Sequence, residues 1–218
     1  MSHRSQTLPE EKVNTLTHGM GVLFTLIAIP ILLEKSSKIR GYDANLGTIM
    51  FGLGMLAVYL SSTLYHATQT IKHKKRLHIC DHVSIYFLIG GSYVPFVQAY
   101  TDNFTATIFL SIQWTIILIG AVLKLFFLGK NEKISLLVYI VLGWSAIFLF
   151  KPFSANMPAE VFKWILIGGF SYSIGVFFYR WDKQKYAHAI WHLFVLGGTV
   201  AHYIAIWKIG DFISFPLK

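Results

Sequence analysis

Seven long apolar runs, joined by short polar segments, constrain this chain more than any other feature. They cover approximately residues 14–33, 45–66, 79–99, 105–123, 134–150, 161–179 and 187–207. Each run is close to the ~20 residues that an α-helix needs to cross a bilayer. The runs are continuous rather than alternating, which excludes a transmembrane β-barrel. We therefore expect an all-α fold, a seven-transmembrane helix bundle.

The composition supports a location in a cell membrane. Hydrophobic residues make up 55% of the 218 residues and charged residues 13%, with a mean hydropathy of +0.56, far from a soluble average. The polar residues before the first run, and the closure of that run by Pro30, Glu34 and Lys35, do not resemble a cleaved signal peptide. The single Cys80 excludes an internal disulfide. Short connections predict one domain over residues 1–218.

The basic residues predict the orientation, because Lys and Arg are enriched in cytoplasmic loops. Twelve of the 19 fall on one side if the N-terminus is cytoplasmic. They are Arg4, Lys12, Lys72, Lys74, Lys75, Arg76, Lys124, Lys130, Lys133, Arg180, Lys183 and Lys185, against Lys35, Lys38, Arg40, Lys151, Lys163, Lys208 and Lys218 on the other side. We expect a cytoplasmic N-terminus and an external C-terminus. Topology and anionic lipid explain the net charge of +9 better than nucleic-acid binding.

Five polar residues lie at matched depths in the cytoplasmic half of three apolar runs. They are Ser62 and His66 at the end of the second, Asp81 at the start of the third, and His188 and His192 at the start of the seventh. Such residues are costly in a membrane and mark functional sites. Residues four apart share a helical face, and zinc in catalytic sites takes three protein ligands. The pattern predicts His66, His188 and His192 as zinc ligands.

Asp81 and Ser62 have more than one interpretation. Asp81 could be a fourth ligand, or a general base for a water at the metal; Ser62 could hold that water or a developing oxyanion. The plainer alternatives are a serine that bonds its own helix backbone, and an aspartate that caps a helix or pairs with Lys74, Lys75 or Arg76.

The other histidines and the glycine pairs carry weaker signals. His202 lies ~15 Å deeper than His192, too far for the same site, and is expected to bond between helices. His18 could line the site or cap the first helix. His82 is expected to point away from Asp81, towards the membrane interface, and His73 and His78 are expected in a solvated loop. The pairs 90–91, 168–169 and 197–198 are typical of close helix packing.

Five segments together resemble the bacterial hemolysin III family, within the progestin and adiponectin receptor superfamily. They are NTLTHG (14–19), STLYH (62–66), LHICDH (77–82), GGSYVPF (90–96) and HAIWHLF (188–194). The resemblance implies seven helices, a cytoplasmic N-terminus, and a zinc held by His66, His188 and His192 with Asp81 and Ser62 beside it. It also implies ceramide hydrolysis, an activity associated with the animal receptors. The short segment before the first run and the small outer loops do not suggest a protein hormone as partner.

Three functions from different classes remain open at this point. The first is a zinc-dependent hydrolase of lipid amide or ester bonds, with a membrane lipid as substrate or ligand. The second is a non-enzymatic membrane-homeostasis or sensing protein in which zinc joins the helices. The third is the cytolytic activity that the family name implies, which the mostly apolar helices disfavour because a pore usually has polar stripes.

Overall fold

The computed structural model describes residues 5–39, 43–127, 132–181 and 183–213, and this part of the chain is entirely helical apart from turns and connections. The helices in chain order are α1 (Leu8–Ser36), α2 (Ala44–Ala67), α3 (Ile71–Tyr100), α4 (Asn103–Phe127), α5 (Glu132–Gly143), a 3-10 helix (Ser145–Leu149), α6 (Phe150–Asn156), α7 (Ala159–Arg180) and α8 (Ala187–Ile213). The all-α prediction is confirmed. Arg4, Arg40, Lys130 and Lys218, used above for orientation, lie outside the described residues.

Six helical segments are long and apolar enough to cross a membrane. They are Leu8–Ser36, Ala44–Ala67, Asn103–Phe126, Lys133–Asn156, Ala159–Arg180 and Ala187–Phe212. The protein is therefore a multi-pass integral membrane protein. Among the described residues, helix α3 is the one long helix that is not apolar enough to be counted, since even its part after the basic segment 72–76 contains several Ser, Gly and Tyr residues together with Pro95 and Gln98.

Side-chain carboxylates at the first turns of α1 and α2 accept hydrogen bonds from backbone N–H groups. The backbone N–H of Thr7 donates to the Glu10 carboxylate at 2.9 Å at the start of α1, and the Leu46 N–H donates to Asp43 at 3.0 Å at the start of α2. These acceptors satisfy donors that have no partner within a helix or its entry turn. The polar connections thus set the helix boundaries, while the apolar runs set helix length.

Helix α3 begins earlier than the apolar run predicts. The run begins near residue 79, whereas α3 begins at Ile71 after Thr70. His73 and His78 therefore lie in a helix, and the expectation of a loop was wrong. Asp81 is ten residues inside α3, which removes the interpretation of Asp81 as a helix cap. Hydropathy alone places the helix end where the apolar residues end, but a basic segment can continue the same helix into water.

The fifth apolar run is interrupted rather than continuous. The expected helix over residues 134–150 divides at Trp144 into α5, the 3-10 helix and α6. The Tyr93 hydroxyl from α3 lies at the break, donating to the Gly143 carbonyl at 2.7 Å and accepting from the Ala146 N–H at 2.9 Å. A side chain that pairs with backbone groups in this way replaces the helical hydrogen bonds and explains the interruption.

The two most closely packed helices are α2 and α3, and glycine makes their approach possible. A Cβ atom on Gly91 would collide with the backbone carbonyl oxygen of Met50, and one on Gly54 would lie 2.8 Å from the carbonyl oxygen of Phe87. Small residues allow helix backbones to approach in this way. The packing role predicted for Gly91 is confirmed. The close approach holds together the two helices that carry His66 and Asp81.

One end of the bundle brings together the start of α1, the end of α2 and the starts of α3 and α8; we call it the N-terminal end. Glu11 of α1 contacts His66 of α2 and Lys74 of α3. The Tyr186 N–H, which precedes α8, donates to Glu10 at 3.1 Å. At the opposite end Lys35 of α1 pairs with Asp211 of α8. Polar contacts therefore connect α1 to α8 at both ends.

Candidate metal centre

The three histidines proposed as ligands converge at the N-terminal end of the bundle. Each offers a ring nitrogen, and these nitrogens all lie within 4.8 Å of one another. The ring centroids are 5.1 Å apart for His66 and His188, 5.2 Å for His66 and His192, and 4.6 Å for His188 and His192. His66 lies in the last turn of α2, and the other two lie one turn apart at the start of α8. The cluster could hold a metal ion.

A carboxylate fixes the orientation of His66. Nδ1 of His66 lies 2.5 Å from Oε2 of Glu11, and the other oxygen of Glu11 accepts from Nζ of Lys74 at 2.6 Å. An ionised carboxylate only accepts hydrogen bonds, so Nδ1 of His66 carries the proton. Nε2 of His66 then carries the lone pair, and it is buried with no hydrogen-bond partner among the described residues. Glu11 therefore orients His66 so that Nε2 could bind a metal.

The Thr17 hydroxyl fixes the orientation of His192. Nδ1 of His192 lies 3.0 Å from Oγ1 of Thr17. The Thr17 hydroxyl has one proton, which it donates to the backbone carbonyls of Val13 or Asn14, both at 3.0 Å. Its oxygen thus accepts from Nδ1, which leaves the lone pair of His192 on Nε2. Nε2 of His192 is likewise buried and has no hydrogen-bond partner in the described chain.

The ring nitrogens of the three histidines suit a transition metal such as zinc. Neutral imidazole nitrogens suit zinc, copper, iron and nickel, whereas calcium and magnesium prefer oxygen. His66 and His192 are at most 2% exposed, so their unpartnered nitrogens carry the desolvation cost of a missing hydrogen bond. A bound ion would remove that cost.

Asp81 and Ser62 lie beside the histidine cluster rather than within it. The carboxylate of Asp81 interacts electrostatically with His66 and faces the Ser62 hydroxyl, although no hydrogen bond of normal geometry forms at Ser62 Oγ. Both side chains are buried. Asp81 does not belong to the set of atoms within 4.8 Å, so the described residues supply three histidine nitrogens without an adjacent fourth carboxylate ligand.

Glu11 is a residue that the sequence analysis missed. It precedes the first apolar run, where it reads as part of a solvated segment, yet it is 8% exposed. Its partner Lys74 had been considered for Asp81 and pairs with Glu11 instead. The sequence signal that could have identified it is the spacing of Glu11, Asn14 and His18, which repeats every three to four residues and marks one helical face.

His18 lies beside the cluster, which agrees with the interpretation that it lines the site. Its ring stacks on that of His192, with centroids 3.5 Å apart and an angle of 21° between the planes. The side chain is 0% exposed, and neither ring nitrogen has a hydrogen-bond partner within the described ranges. His18 is nevertheless outside the 4.8 Å ligand set. It therefore packs against the cluster from the side of α1.

The other histidines of the described residues lie outside the ligand set. Nε2 of His82 is 3.0 Å from Nε2 of His78. His82 is buried, so the expectation that it points towards the membrane interface was wrong. His202 contacts the Ile165 carbonyl of α7 at 3.4 Å, which agrees with the predicted contact between helices. His73 is exposed.

A cavity of about 350 Å³ lies next to the cluster, inside the bundle. His18 and Trp191 form its wall on the cluster side, and Phe153 and Phe162 form its wall near the opposite end of the bundle. Trp191 also contacts the ring of His188, with centroids 4.9 Å apart. The lining is predominantly apolar. Ligand pockets in proteins are typically of ~300–1,000 Å³ with such linings, so the cavity is of a size to hold an apolar ligand.

Comparison with known proteins agrees with this architecture. A family model described as haemolysin-III related matches residues 6–203. Hemolysin-3 from Bacillus cereus is 37% identical over 206 residues, 94% of each chain. The Hemolysin-3 homolog from Bacillus subtilis (strain 168) is 38% identical over 200 residues, which cover 92% of this chain and 94% of the relative.

A more distant similarity extends to animals. Monocyte to macrophage differentiation factor from Homo sapiens is 27% identical over 225 residues, covering 95% of this chain and 90% of the relative. No solved structure matches the chain significantly. The family model covers nearly the whole length, including every residue of the histidine cluster. The chain belongs to the haemolysin-III related family.

Proposed function

We propose that this protein is a zinc-dependent hydrolase that cleaves an amide or ester bond of a membrane lipid. The observation that carries the proposal is the cluster itself: three histidines converge, His66 and His192 buried with an oriented and unpartnered Nε2, next to a buried carboxylate and hydroxyl. A site with three protein ligands keeps a position for water or substrate, as catalytic zinc sites do.

The proposed topology has seven spans with a cytoplasmic N-terminus. Helix α3 is long enough to be the additional span, and its central and C-terminal parts are buried against other helices. In this topology the basic segment 72–76 of α3 lies in the cytoplasm. Lys183 and Lys185, which precede α8, lie on the same side. This arrangement follows the enrichment of Lys and Arg in cytoplasmic segments, and it puts the histidine cluster in the cytoplasmic half of the membrane.

Asp81 and Ser62 have separate roles in the proposed reaction. Zinc, when bound, would lower the pKa of a water molecule and polarise a carbonyl group. Asp81 accepts the proton of the attacking water, and its burial beside His66 keeps it within the site. Ser62 donates its hydroxyl proton to the oxygen on which negative charge develops. The C–N or C–O bond then breaks, and the leaving amine or alcohol takes up the proton held by Asp81.

The adjacent cavity supports a lipid as substrate. Its apolar lining begins at His18 and Trp191, which contact His192 and His188 respectively. A chain seated in the cavity would therefore have its polar end near the cluster. This placement would bring a carbonyl group to the metal while the hydrocarbon part remains away from water.

Measurements of metal content and turnover on the same preparations test the proposal. Protein purified in detergent would be incubated with extracted N-acyl and O-acyl lipids, and released fatty acid measured by mass spectrometry. We expect His66→Ala to lose both zinc and turnover, and Asp81→Asn to keep zinc while losing turnover at least about a hundredfold. His73→Ala, an exposed histidine on α3, is the control and should retain both. Wild-type protein that holds zinc but releases no fatty acid would overturn the hydrolase.

A structural metal in a non-enzymatic homeostasis or sensing protein is the second candidate. It is favoured by the way the cluster joins α2 to α8, with α1 attached through Glu11 and Thr17. In that case chelation should lower the thermal midpoint while Asp81→Asn changes neither stability nor any cellular effect. Cytolysis is the third candidate, and leakage of dye from liposomes containing the purified protein tests it.

A further inference from the structure

His78 and His82 of α3 form a second pair of histidines, outside the three-histidine cluster. They are four residues apart in a continuous helix and therefore share one of its faces. Their Nε2 atoms lie 3.0 Å apart, and their ring centroids lie 4.6 Å apart. Neither belongs to the ligand set found among the described residues, and the proposed hydrolysis does not use them.

The separation of the two Nε2 atoms suits a shared metal ion. With metal–nitrogen bonds of ~2.0–2.1 Å, two nitrogens that are 3.0 Å apart subtend an angle of about 95° at one ion. Octahedral and square-planar ions accept this angle, and a tetrahedral zinc ion needs the nitrogens only roughly 0.3 Å farther apart. Imidazole nitrogens bind transition metals, whereas calcium and magnesium prefer oxygen. The ion that fits the pair is a divalent transition metal.

The hydrogen bond between the two rings is compatible with metal binding. In the absence of an ion, one Nε2 carries a proton and donates it to the lone pair of the other. A neutral imidazole can also carry its proton on Nδ1. The donor ring can therefore present its Nε2 lone pair to an ion without losing a proton. The same two nitrogens thus share either a proton or a metal ion.

The pair lies close to the three-histidine cluster and is only partly buried. His78 is half-buried, and most of the preceding residues of α3 are exposed, so an ion can reach the pair from solvent. The ring of Tyr65 stacks on that of His78, with centroids 5.0 Å apart, and it contacts the ring of His66 at a centroid distance of 4.7 Å. His78 and His66 therefore contact the same side chain.

Positive charges near the pair predict that it binds an ion more weakly than the cluster does. Lys74 lies 4.9 Å from the ring centroid of Tyr65, and its charge is offset by Glu11. Lys75, one turn before His78, is exposed, and its charge is reduced mainly by solvent screening. With two ligands instead of three and this repulsion, an ion leaves the pair readily.

We propose that His78 and His82 form a second site for a divalent transition-metal ion, from which the ion enters the three-histidine cluster. The entry role rests on the proposed function, which puts zinc at that cluster. An ion held one side chain away has an effective concentration on the order of millimolar at the cluster, far above that of micromolar zinc in solution. The pair would therefore speed the loading of the cluster without changing its final affinity.

Zinc counts on purified protein test the second site. Metal-free protein in detergent would be dialysed against micromolar zinc chloride, and bound zinc measured by elemental mass spectrometry. We expect His78→Phe, which keeps a ring against Tyr65, to bind one zinc ion fewer per protein than the wild type. His82→Phe should show the same loss. His73→Phe removes an exposed histidine of the same helix, and this matched control should bind as much zinc as the wild type.

Equal zinc counts in the wild type and in folded His78→Phe would overturn the proposal. That is the result expected if the two rings only form a hydrogen bond. A loss of the same size in His73→Phe would also overturn it, because the ion would then bind exposed histidines in general. Thermal midpoints check that each variant is folded.

The rate of loading tests the entry role. Metal-free protein would be mixed with zinc held by a coloured chelator, and the transfer followed by absorbance. We expect the tightly bound ion to enter His78→Phe at least about tenfold more slowly than the wild type, because the local supply of zinc is lost. His73→Phe should load at the wild-type rate. Equal rates in His78→Phe and the wild type would overturn the entry role.

The result is separable from the fate of the hydrolase, because zinc counts and loading rates need no substrate. A zinc count that falls in His78→Phe retains the second site even if wild-type protein releases no fatty acid. Turnover by a protein whose zinc count is the same in His78→Phe would retain the hydrolase and overturn the second site.

Discussion

The Glu11 carboxylate lies 2.5 Å from Nδ1 of His66, although 55 residues separate the two along the chain. The contact joins the start of α1 to the end of α2 and leaves Nε2 of His66 facing the other histidines. A carboxylate in this position fixes the tautomer and the ring orientation of a histidine ligand.

Replacing Glu11 should therefore weaken metal binding without removing a ligand. We expect Glu11→Gln to lower zinc affinity about 10–100-fold, since loss of such partners typically has that effect. Competition with a chelator, followed by measurement of bound zinc, gives the affinity. Glu34→Gln, which removes an exposed partner of Lys38, is the control and should bind zinc as the wild type does. An unchanged affinity in folded Glu11→Gln would show that the contact has no influence on the site.

The hydroxyl of Thr17 should matter in the same way for His192. Thr17→Val keeps the shape of the side chain and removes the hydrogen bond to Nδ1 of His192, so we expect about a tenfold loss of zinc affinity. Thr15→Val is matched in chemistry, because the Thr15 hydroxyl bonds only the Glu11 carbonyl at 2.8 Å, and should have no such effect. The same chelator competition distinguishes the two, and a similar loss in both variants would contradict the specific role of Thr17.

The close approach of α2 and α3 should make Gly91 intolerant of a side chain. In Gly91→Ala the new methyl group collides with the Met50 carbonyl oxygen, so the helices must separate; we expect a loss of stability of about 1–3 kcal/mol. Gly19→Ala is a matched control in α1, where a Cβ atom has no neighbour within 4 Å. There alanine should be neutral or stabilising. Thermal unfolding in detergent gives the comparison, and equal midpoints for the two variants would refute the packing argument.

A pH-dependent effect is expected at the start of α4, outside the membrane spans. Hydrogen bonds from Thr105 lower the pKa of Asp102 below its ordinary value of 3.8. A lowered folded-state pKa means that the contribution of Asp102 to stability is fully present above about pH 4 and is lost as the pH falls through the folded-state pKa.

Asp102→Asn provides the comparison, since asparagine also caps helices but does not titrate. The thermal midpoint of the wild type should fall relative to that of Asp102→Asn when the pH is lowered from 6 to 3. A constant difference between the two proteins over this range would show that Asp102 does not stabilise α4 through its charge.

Much of the candidate site could be predicted from the sequence because depth and helical spacing are local properties. His188 and His192 are one turn apart in any helix, and a short connection after α2 keeps His66 at the same end of the bundle. The interrupted fifth run could not be predicted, because the Tyr93 hydroxyl that accompanies the break comes from another helix. The basic start of α3 was missed because hydropathy detects the membrane core and not the helix end.

The sequence by itself determined that this is an all-helical membrane protein, since long apolar runs must pair their backbone groups internally in lipid. It also determined which histidines share a depth. Only the tertiary structure decided what surrounds them. Glu11, Thr17 and His18 lie on a different helix from every proposed ligand, and whether their side chains reach His66 and His192 depends on how α1 packs against α2 and α8. That packing depends on many weak contacts between residues that are far apart in the sequence. A local sequence pattern does not predict such contacts.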